Sequence, residues 1–335
     1  MNKPTPPGTV LVMGAGSVGC WVGGRLLAAG VPVRFVARPR VRGELQQHGL
    51  TLSDLDSPGL QVVLGPLDLP PAPEPPAALV LLCVKTGATA QAARDLGAVL
   101  PAGTPVLSLQ NGMVNTKIGA ATAPALRWLS GMVPFNIAEV APGYFHRGTS
   151  GQIAAQDDPV LRPWLPWFAA AGLPLDLHAD LRPVQWAKLL LNLNNPVHAL
   201  SGLPLREELL DRDCRHVLAA LQDEALAAMK AAGIVPARLS PLPPAWLPSV
   251  LRLPTWIFRR LAAQLLRIDA RAGSSMADDL LRGRPTEIDE LCGAVVRLAQ
   301  AQGLAAPLNA QMVAWLSAPR PATRSGHEMR AALGL

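Results

Sequence analysis

The sequence is short of cysteine, of lysine and of charge. Four cysteines in 335 residues, Cys20, Cys83, Cys214 and Cys292, lie far apart and form no CxxC pair. No cysteine–histidine group has the spacing of a zinc site, and a disulfide framework does not suit a chain of this size. The six histidines are equally scattered, so no metal is expected. Only 16% of the residues are charged, and of the 30 basic ones just five are lysine. They are dispersed, and the net charge is a mild +6. With no basic run and no basic–aromatic strip, a nucleic-acid partner is not expected. A small anionic ligand is the simpler partner. No apolar stretch reaches the roughly 18 to 20 residues of a membrane span. Met1 to Thr9 holds one lysine and three prolines and has no apolar core of a secretory signal. A reducing, cytoplasmic location with no membrane attachment is the expectation.

Half of the residues are apolar, which argues against wholesale disorder. At about 150 residues per domain, the length points to two domains. Short apolar runs bounded by turn residues fill the first half: Val10 to Met13, Val31 to Ala37, Ala78 to Val84 and Pro105 to Leu109. They alternate with helical stretches, as βαβ units do. Residues 126–156 look strand-rich, and a helix (160–171) and a short strand (174–177) follow. From Leu181 the strand signal fades. Ala/Leu-rich periodic segments take over at 182–200, 205–232, 255–282, 286–302 and 306–316. The apolar, proline-rich stretch 241–254 between them reads as an ordered covering loop. The expected organisation is a dinucleotide-binding α/β domain over residues 8–179, a helical domain over 180–318, and a loose tail over 319–335.

Gly14-Ala15-Gly16-Ser17-Val18-Gly19 follows the first strand and opens a helix. Each glycine has a mechanical reason. Gly14 allows the tight turn, Gly16 lets the backbone approach a pyrophosphate, and Gly19 lets the helix pack closely on the sheet. The helix N-terminus then offers unpaired N–H groups to the anion. The bland alternative is a turn that only helps packing. At the end of the second strand an NAD site would carry Asp or Glu. This chain has Ala37-Arg38-Pro39-Arg40-Val41-Arg42 instead. A guanidinium there suits the 2′-phosphate of NADP, with Arg38 the best placed, unless these arginines are merely a solvated loop.

In the second half, Trp186-Ala-Lys188-Leu-Leu-Leu-Asn192-Leu-Asn194-Asn195-Pro196 stands out. On one continuous helix at about 100° per residue, Asn192 lies about 40° and Asn195 about 20° from Lys188, while Asn194 points elsewhere. Pro196 deprives the Asn192 carbonyl of its helical partner. An amine beside two amides can polarise a ketone, protonate the developing alkoxide and orient substrate oxygens, provided the lysine pKa is lowered. A lysine whose head reaches solvent and amides that cap a kink are the alternative. Farther on, Ser274-Ser275-Met276-Ala-Asp278-Asp279 precedes Arg284-Pro285-Thr286-Glu287-Ile288-Asp289. Thr286 with Asp289 suggests a helix N-cap, which leaves Glu287 to face a partner such as the Lys188 ammonium.

Together GAGSVG at 14–19, Arg38, CVKT at 83–86, QNG at 110–112, WAKLLLN at 186–192 and SSMADDLLRGRPTEID at 274–289 make the chain resemble the ketopantoate reductases, the 2-dehydropantoate 2-reductases. The resemblance spans residues 10 to about 290. It implies a Rossmann-type N-terminal domain joined to an all-α C-terminal domain like that of the 6-phosphogluconate dehydrogenases, with the active site in the cleft between them. It implies NADP as cofactor and hydride transfer from NADPH to the C2 ketone of a branched 2-oxo acid, giving pantoate for pantothenate and coenzyme A biosynthesis. By position it makes Lys188 the proton donor and Glu287 its catalytic companion near the cofactor. Asn111, Asn192, Asn195 and Ser275 would contact substrate. Lys85 and Asn111 would stand near the nicotinamide, beside the cofactor-binding residues 14–19 and Arg38. For Lys85 and Asn111 the plainer reading is a strand-end lysine and a turn asparagine, and for Ser275 a helix-start serine. A homodimer is the expected assembly.

The chain departs from that family's usual pattern at three places. Asn192 and Asn195 are three residues apart rather than four, the segment Gly202-Leu-Pro-Leu-Arg206 lacks an asparagine, and residues 240–256 are apolar with Trp246 and Trp256. These changes bear on the choice of 2-oxo acid more than on the reaction. A paralogue that reduces another branched or aromatic 2-oxo acid is therefore the second reading. A non-catalytic NADP-binding regulator is the third, and the presence of Lys188, Asn192 and Glu287 speaks against it.

Overall fold

The structure is a computed structural model. It describes residues 5–55, 57, 59–65, 68–261 and 274–335, and of Ser275 the backbone. The chain divides into two compact units, residues 1–181 and 182–335.

The first unit runs β1 (Val10–Met13), α1 (Ser17–Ala28), β2 (Val33–Val36), α2 (Pro39–His48), β3 (Leu50–Asp54), β4 (Leu60–Val62), β5 (Leu79–Leu82) and α3 (Thr89–Val99). It continues with β6 (Pro105–Ser108), α4 (Asn115–Thr122), β7 (Arg127–Met132), β8 (Ile137–Ala141), β9 (Tyr144–Arg147), β10 (Ile153–Gln156), α5 (Leu165–Ala170) and β11 (Leu175–His178). A seven-stranded sheet has the order β11-β10-β7-β6-β5-β1-β2. It is parallel except where β10 meets β7. β1 and β5 are apolar throughout because both faces are covered. Val10 and Val12, with Leu79 and Leu81, enter the core that holds Trp21 and Leu26 of α1. Leu11 and Met13, with Val80 and Leu82, enter the opposite core, against Ala92, Ala93 and Leu96 of α3.

A second sheet, β4-β3-β9-β8, was not expected from the sequence. Leu50 and Leu52 of β3 and Phe145 of β9 reach the same core as α1. Gly24 of α1 makes room for this: a Cβ there would press on the Leu50 and Leu52 side chains.

The second unit is helical among the described residues: α6 (Arg182–Asn192), α7 (Asn194–Ser201), α8 (Leu205–Leu210), α9 (Arg212–Ala231), α10 (Leu247–Leu251), α11 (Thr255–Leu261), α12 (Ser275–Leu281), α13 (Ile288–Ala301), α14 (Pro307–Leu316) and α15 (Gly326–Ala332). α9 is its axis, packed by α7, α8, α10, α13, α14 and α15. Its buried stripe includes Val217, Leu221, Ala225 and Met229. Glu224 on the same helix accepts from the Leu308 and Asn309 backbone N–H groups and so caps α14.

Four expectations are corrected. The segment 182–200 is two helices, with a break at Leu193 beside Pro196. The stretch 241–254 is not only loop: it contains a short helical turn (Pro244–Trp246) and α10. Thr286 is not the N-cap of α13; Glu287 takes that position, without a side-chain capping bond. The tail is not loose, since α15 carries a Ser325–Glu328 capping box and buries Met329 against the bundle. Of the periodic segment 255–282, residues 262–273 lie outside the described residues.

Candidate active site

The glycine turn is built as the spacing requires. Gly14 has φ +104°, and a Cβ there would lie 2.7 Å from the Val84 backbone nitrogen. The turn therefore rests on the residues that follow β5. Gly16 is the N-cap residue of α1, no side chain caps the helix there, and a Cβ would meet nothing within 4 Å. That is an open backbone cradle at a helix N-terminus, where a pyrophosphate fits. A Cβ on Gly19 would overlap the Gly14 carbonyl oxygen and press on Val12. Ala15 is buried, while Ser17 and Val18 are half-buried in the first turn of α1. Because β1 lies between β2 and β5, the turn sits where the strand order reverses, the usual ligand position of such sheets.

Arg38 is exposed immediately before α2. Arg40 is bound by Glu44 and faces Glu139, so its charge is already met. Arg38 has no acidic partner among the described residues.

β5 and β6 are neighbours. Lys85 and Asn111, just past their ends, are both exposed. Beneath them lies a buried polar network that the sequence reading missed. Gln110 Nε2 donates to the Val84 carbonyl and to Thr89 Oγ1, Thr89 Oγ1 donates to Asn115 Oδ1, and Asn115 Nδ2 donates to the Asn111 carbonyl. It ties the two strand-end loops together. The available signal was the polar pair Gln110 and Asn111 just after the strand Pro105–Ser108, with Asn115 four residues further on.

In the helical unit, Lys188 and Asn192 lie one turn apart on α6. Lys188 is partly buried, and burial pushes its ammonium pKa down to about 8. Asn195 stands on α7, beyond the break, so the single-helix phase that placed it beside Lys188 does not apply. Asn194 is engaged elsewhere: its Nδ2 donates to Glu208 at 3.2 Å. His198 Nδ1 and Ser274 Oγ are 2.9 Å apart, and Ser274 also accepts from the Ala277 N–H as the N-cap of α12. This bond holds the start of α12 against α7. Ser275 opens α12, and its side chain lies outside the described residues. Glu287 is half-buried at the start of α13. Among the described residues no group of acids, histidines and cysteines could hold a metal ion. No helix of the described residues is long and apolar enough to cross a membrane.

A Rossmann-type sheet with a glycine cradle, followed by a helical unit that presents a pKa-lowered lysine, defines an oxidoreductase class. Residues 10–159 match the family described as ketopantoate reductase PanE/ApbA, and residues 180–320 match its C-terminal part. The chain belongs to the ketopantoate reductase family. The 2-dehydropantoate 2-reductase of Halobacterium salinarum is 28% identical over 306 residues, which cover 89% of this chain and 94% of that one. Among solved structures, a PanE/ApbA family ketopantoate reductase from Ralstonia eutropha superposes with a TM-score of 0.76 at 27% identity, covering 98% of this chain and 100% of that one. A D-mandelate dehydrogenase solved with NADH and anilino(oxo)acetate has the same fold, with a TM-score of 0.74 at 19% identity and coverage of 98% and 100%.

Proposed function

We propose that the chain reduces 2-dehydropantoate to pantoate with NADPH, in pantothenate and coenzyme A synthesis. The observation that carries this reading is Lys188, whose ammonium is tuned to about 8 on a helix that presents Asn192 one turn later. At neutral pH it is still protonated, yet it releases a proton far more readily than an ordinary lysine.

The Gly16 backbone and the N-terminus of α1 would hold the pyrophosphate, and Arg38 the 2′-phosphate. Lys85 and Asn111 would approach the nicotinamide. NADPH, when bound, supplies the hydride. The Lys188 Nζ donates a hydrogen bond to the C2 ketone oxygen, polarises it, and passes a proton to that oxygen as C2 becomes tetrahedral. The amine left behind regains its proton from water. Asn192, Asn195 and Ser275 would bind the substrate carboxylate and hydroxyl. Glu287 would help keep the Lys188 ammonium charged and in place. The cytoplasm and a homodimer fit this reading. The second reading, another branched or aromatic 2-oxo acid, is favoured by Trp246 and Trp256, which stand 62% and 67% exposed around α10 and α11.

The test is oxidation of NADPH and of NADH, followed optically, with ketopantoate and a panel of branched and aromatic 2-oxo acids. A kcat/KM for ketopantoate at least about tenfold above the rest, a difference of about 1.4 kcal/mol in transition-state binding, supports the first reading. Preference for an aromatic acid supports the second. No turnover with any 2-oxo acid refutes both.

A further inference from the structure

The break between α6 and α7 separates Asn192 from Asn195, and Asn194 sits at the break itself. Asn194 reaches across to Glu208 of α8. Glu208 is 0% exposed. Its Oε2 accepts from Asn194 Nδ2 at 3.2 Å. Two buried atoms then have no partner among the described residues: Glu208 Oε1 and Asn194 Oδ1. Both are acceptors as long as Glu208 is a carboxylate, and they belong to the same pair of side chains. One proton on Glu208 Oε1 turns it into the donor that Asn194 Oδ1 lacks.

We propose that Glu208 is kept as a neutral carboxylic acid in a two-bond ring with the Asn194 amide, and that this ring is the positioning device that sets the α6–α7 break and with it Asn192 and Asn195.

The surroundings support the neutral form. A fully buried carboxylate without an ion pair is costly, and such a group neutralises instead. Arg215 of α9 is the nearby cation. It is also 0% exposed, but its donors go to the carbonyls of Leu209, Leu210, Leu251 and Leu253 and to Thr255 Oγ1. Asp211, which caps α9 at Cys214, adds negative charge nearby, and the buried thiol of Cys214 supplies no positive charge. His198 of α7 is held by Ser274, and burial pushes its imidazole pKa below the ordinary value. Burial, chiefly, pushes the Glu208 carboxyl up to about 8. Near that pH the acid proton leaves, the ring loses one of its two bonds, and both acceptors are again without a donor.

The direct test needs no substrate. Glu208 has an ordinary value of 4.5, against about 8 in the fold. The folded chain therefore binds more protons than the unfolded one between those values, and stability falls as pH rises through that window. Glu208→Gln preserves a two-bond amide ring without a titrating group. Its thermal midpoint relative to the parent should rise steadily from pH 5 to pH 8 and level off above. A difference that does not change with pH would overturn the neutral acid.

The positioning role rests on the proposed reaction and is read from KM. In the parent, KM for ketopantoate should rise above pH 8, by up to about tenfold at pH 9 if only the ringed form binds. Glu208→Gln should hold KM flat over that range. Asn194→Leu should raise KM at every pH, and adding Glu208→Gln to it should raise KM little further. The NADPH Kd should stay unchanged in all of these. A KM rise that persists in Glu208→Gln, or an unchanged KM in Asn194→Leu, would overturn the positioning role. Should the parent reduce no 2-oxo acid, the proposed reaction fails, while the melting comparison still decides whether Glu208 is neutral.

Discussion

A Cβ on Gly19 would overlap the Gly14 carbonyl oxygen, and the clash is with backbone, which cannot swing aside. Gly16, three residues earlier, meets nothing. The two glycines of one turn thus differ in kind. Gly19→Ala should lower stability by about 1 to 3 kcal/mol through overpacking, visible in thermal melts without ligand. Gly16→Ala has ordinary backbone angles, φ −87° and ψ −168°. It should lower stability by no more than about 0.5 to 1 kcal/mol, the margin by which glycine exceeds alanine at an N-cap, yet weaken NADPH about tenfold by crowding the pyrophosphate. Equal loss of stability in both variants would contradict this division.

Arg38 is the cation at the end of β2 whose charge no acid meets among the described residues, whereas Arg40 is held by Glu44. Arg38→Glu should therefore weaken NADPH by about 10- to 100-fold, the worth of hydrogen bonds between charged groups, and leave NADH within about twofold. Arg40→Gln should change the ratio little. Binding titrations with both nucleotides check this, and an equal loss on NADPH and NADH would remove Arg38 from the 2′-phosphate.

The glycine turn, the sheet-forming strands and the helical second half were legible because they depend on local signals: apolar runs, glycine spacing and helical periodicity. β3, β4, β8 and β9 were not resolved into a sheet, because short half-buried strands alternate weakly and pair far apart in sequence. α2 was missed because it buries only Leu45. The break at Leu193 had its cause in view, Pro196, but the helical phase was carried through it. What no periodicity encodes is which polar group another polar group meets. Hence Gln110 with Thr89, and Asn194 with Glu208, emerged only in three dimensions.

Arg215 is the clearest stability element of the helical unit. It joins the end of α8 to the ends of α10 and the start of α11 through four carbonyls and a hydroxyl, and its guanidinium lies 4.4 Å over the Phe258 ring. Arg215→Met would strand those carbonyls in a buried site. At about 1 to 3 kcal/mol for each stranded group, a loss of about 3 kcal/mol or more is expected in urea unfolding. Arg215→Lys should recover little, because one ammonium cannot span the fork of acceptors.

Lys188 links structure to pH most directly. A proton donor must be protonated, so turnover should fall as pH rises through about 8, where burial has brought its pKa. The fall in kcat should approach tenfold per pH unit, and kcat/KM should fall more steeply where KM also rises through Glu208. Lys188→Met should lose about 10² or more in kcat and lose the alkaline limb with it, while keeping NADPH affinity. Lys188→Arg keeps a charge but gives up no proton at these pH values, so it should be slow and insensitive to pH. Stability adds an independent check. The unfolded lysine holds its proton up to about 10.5, whereas the folded one releases it near 8. The unfolded chain therefore binds more protons in between, and stability gains as pH rises across that window. The parent should gain stability relative to Lys188→Met from pH 8 to pH 10, and a constant difference would mean that Lys188 has the pKa of an ordinary surface lysine.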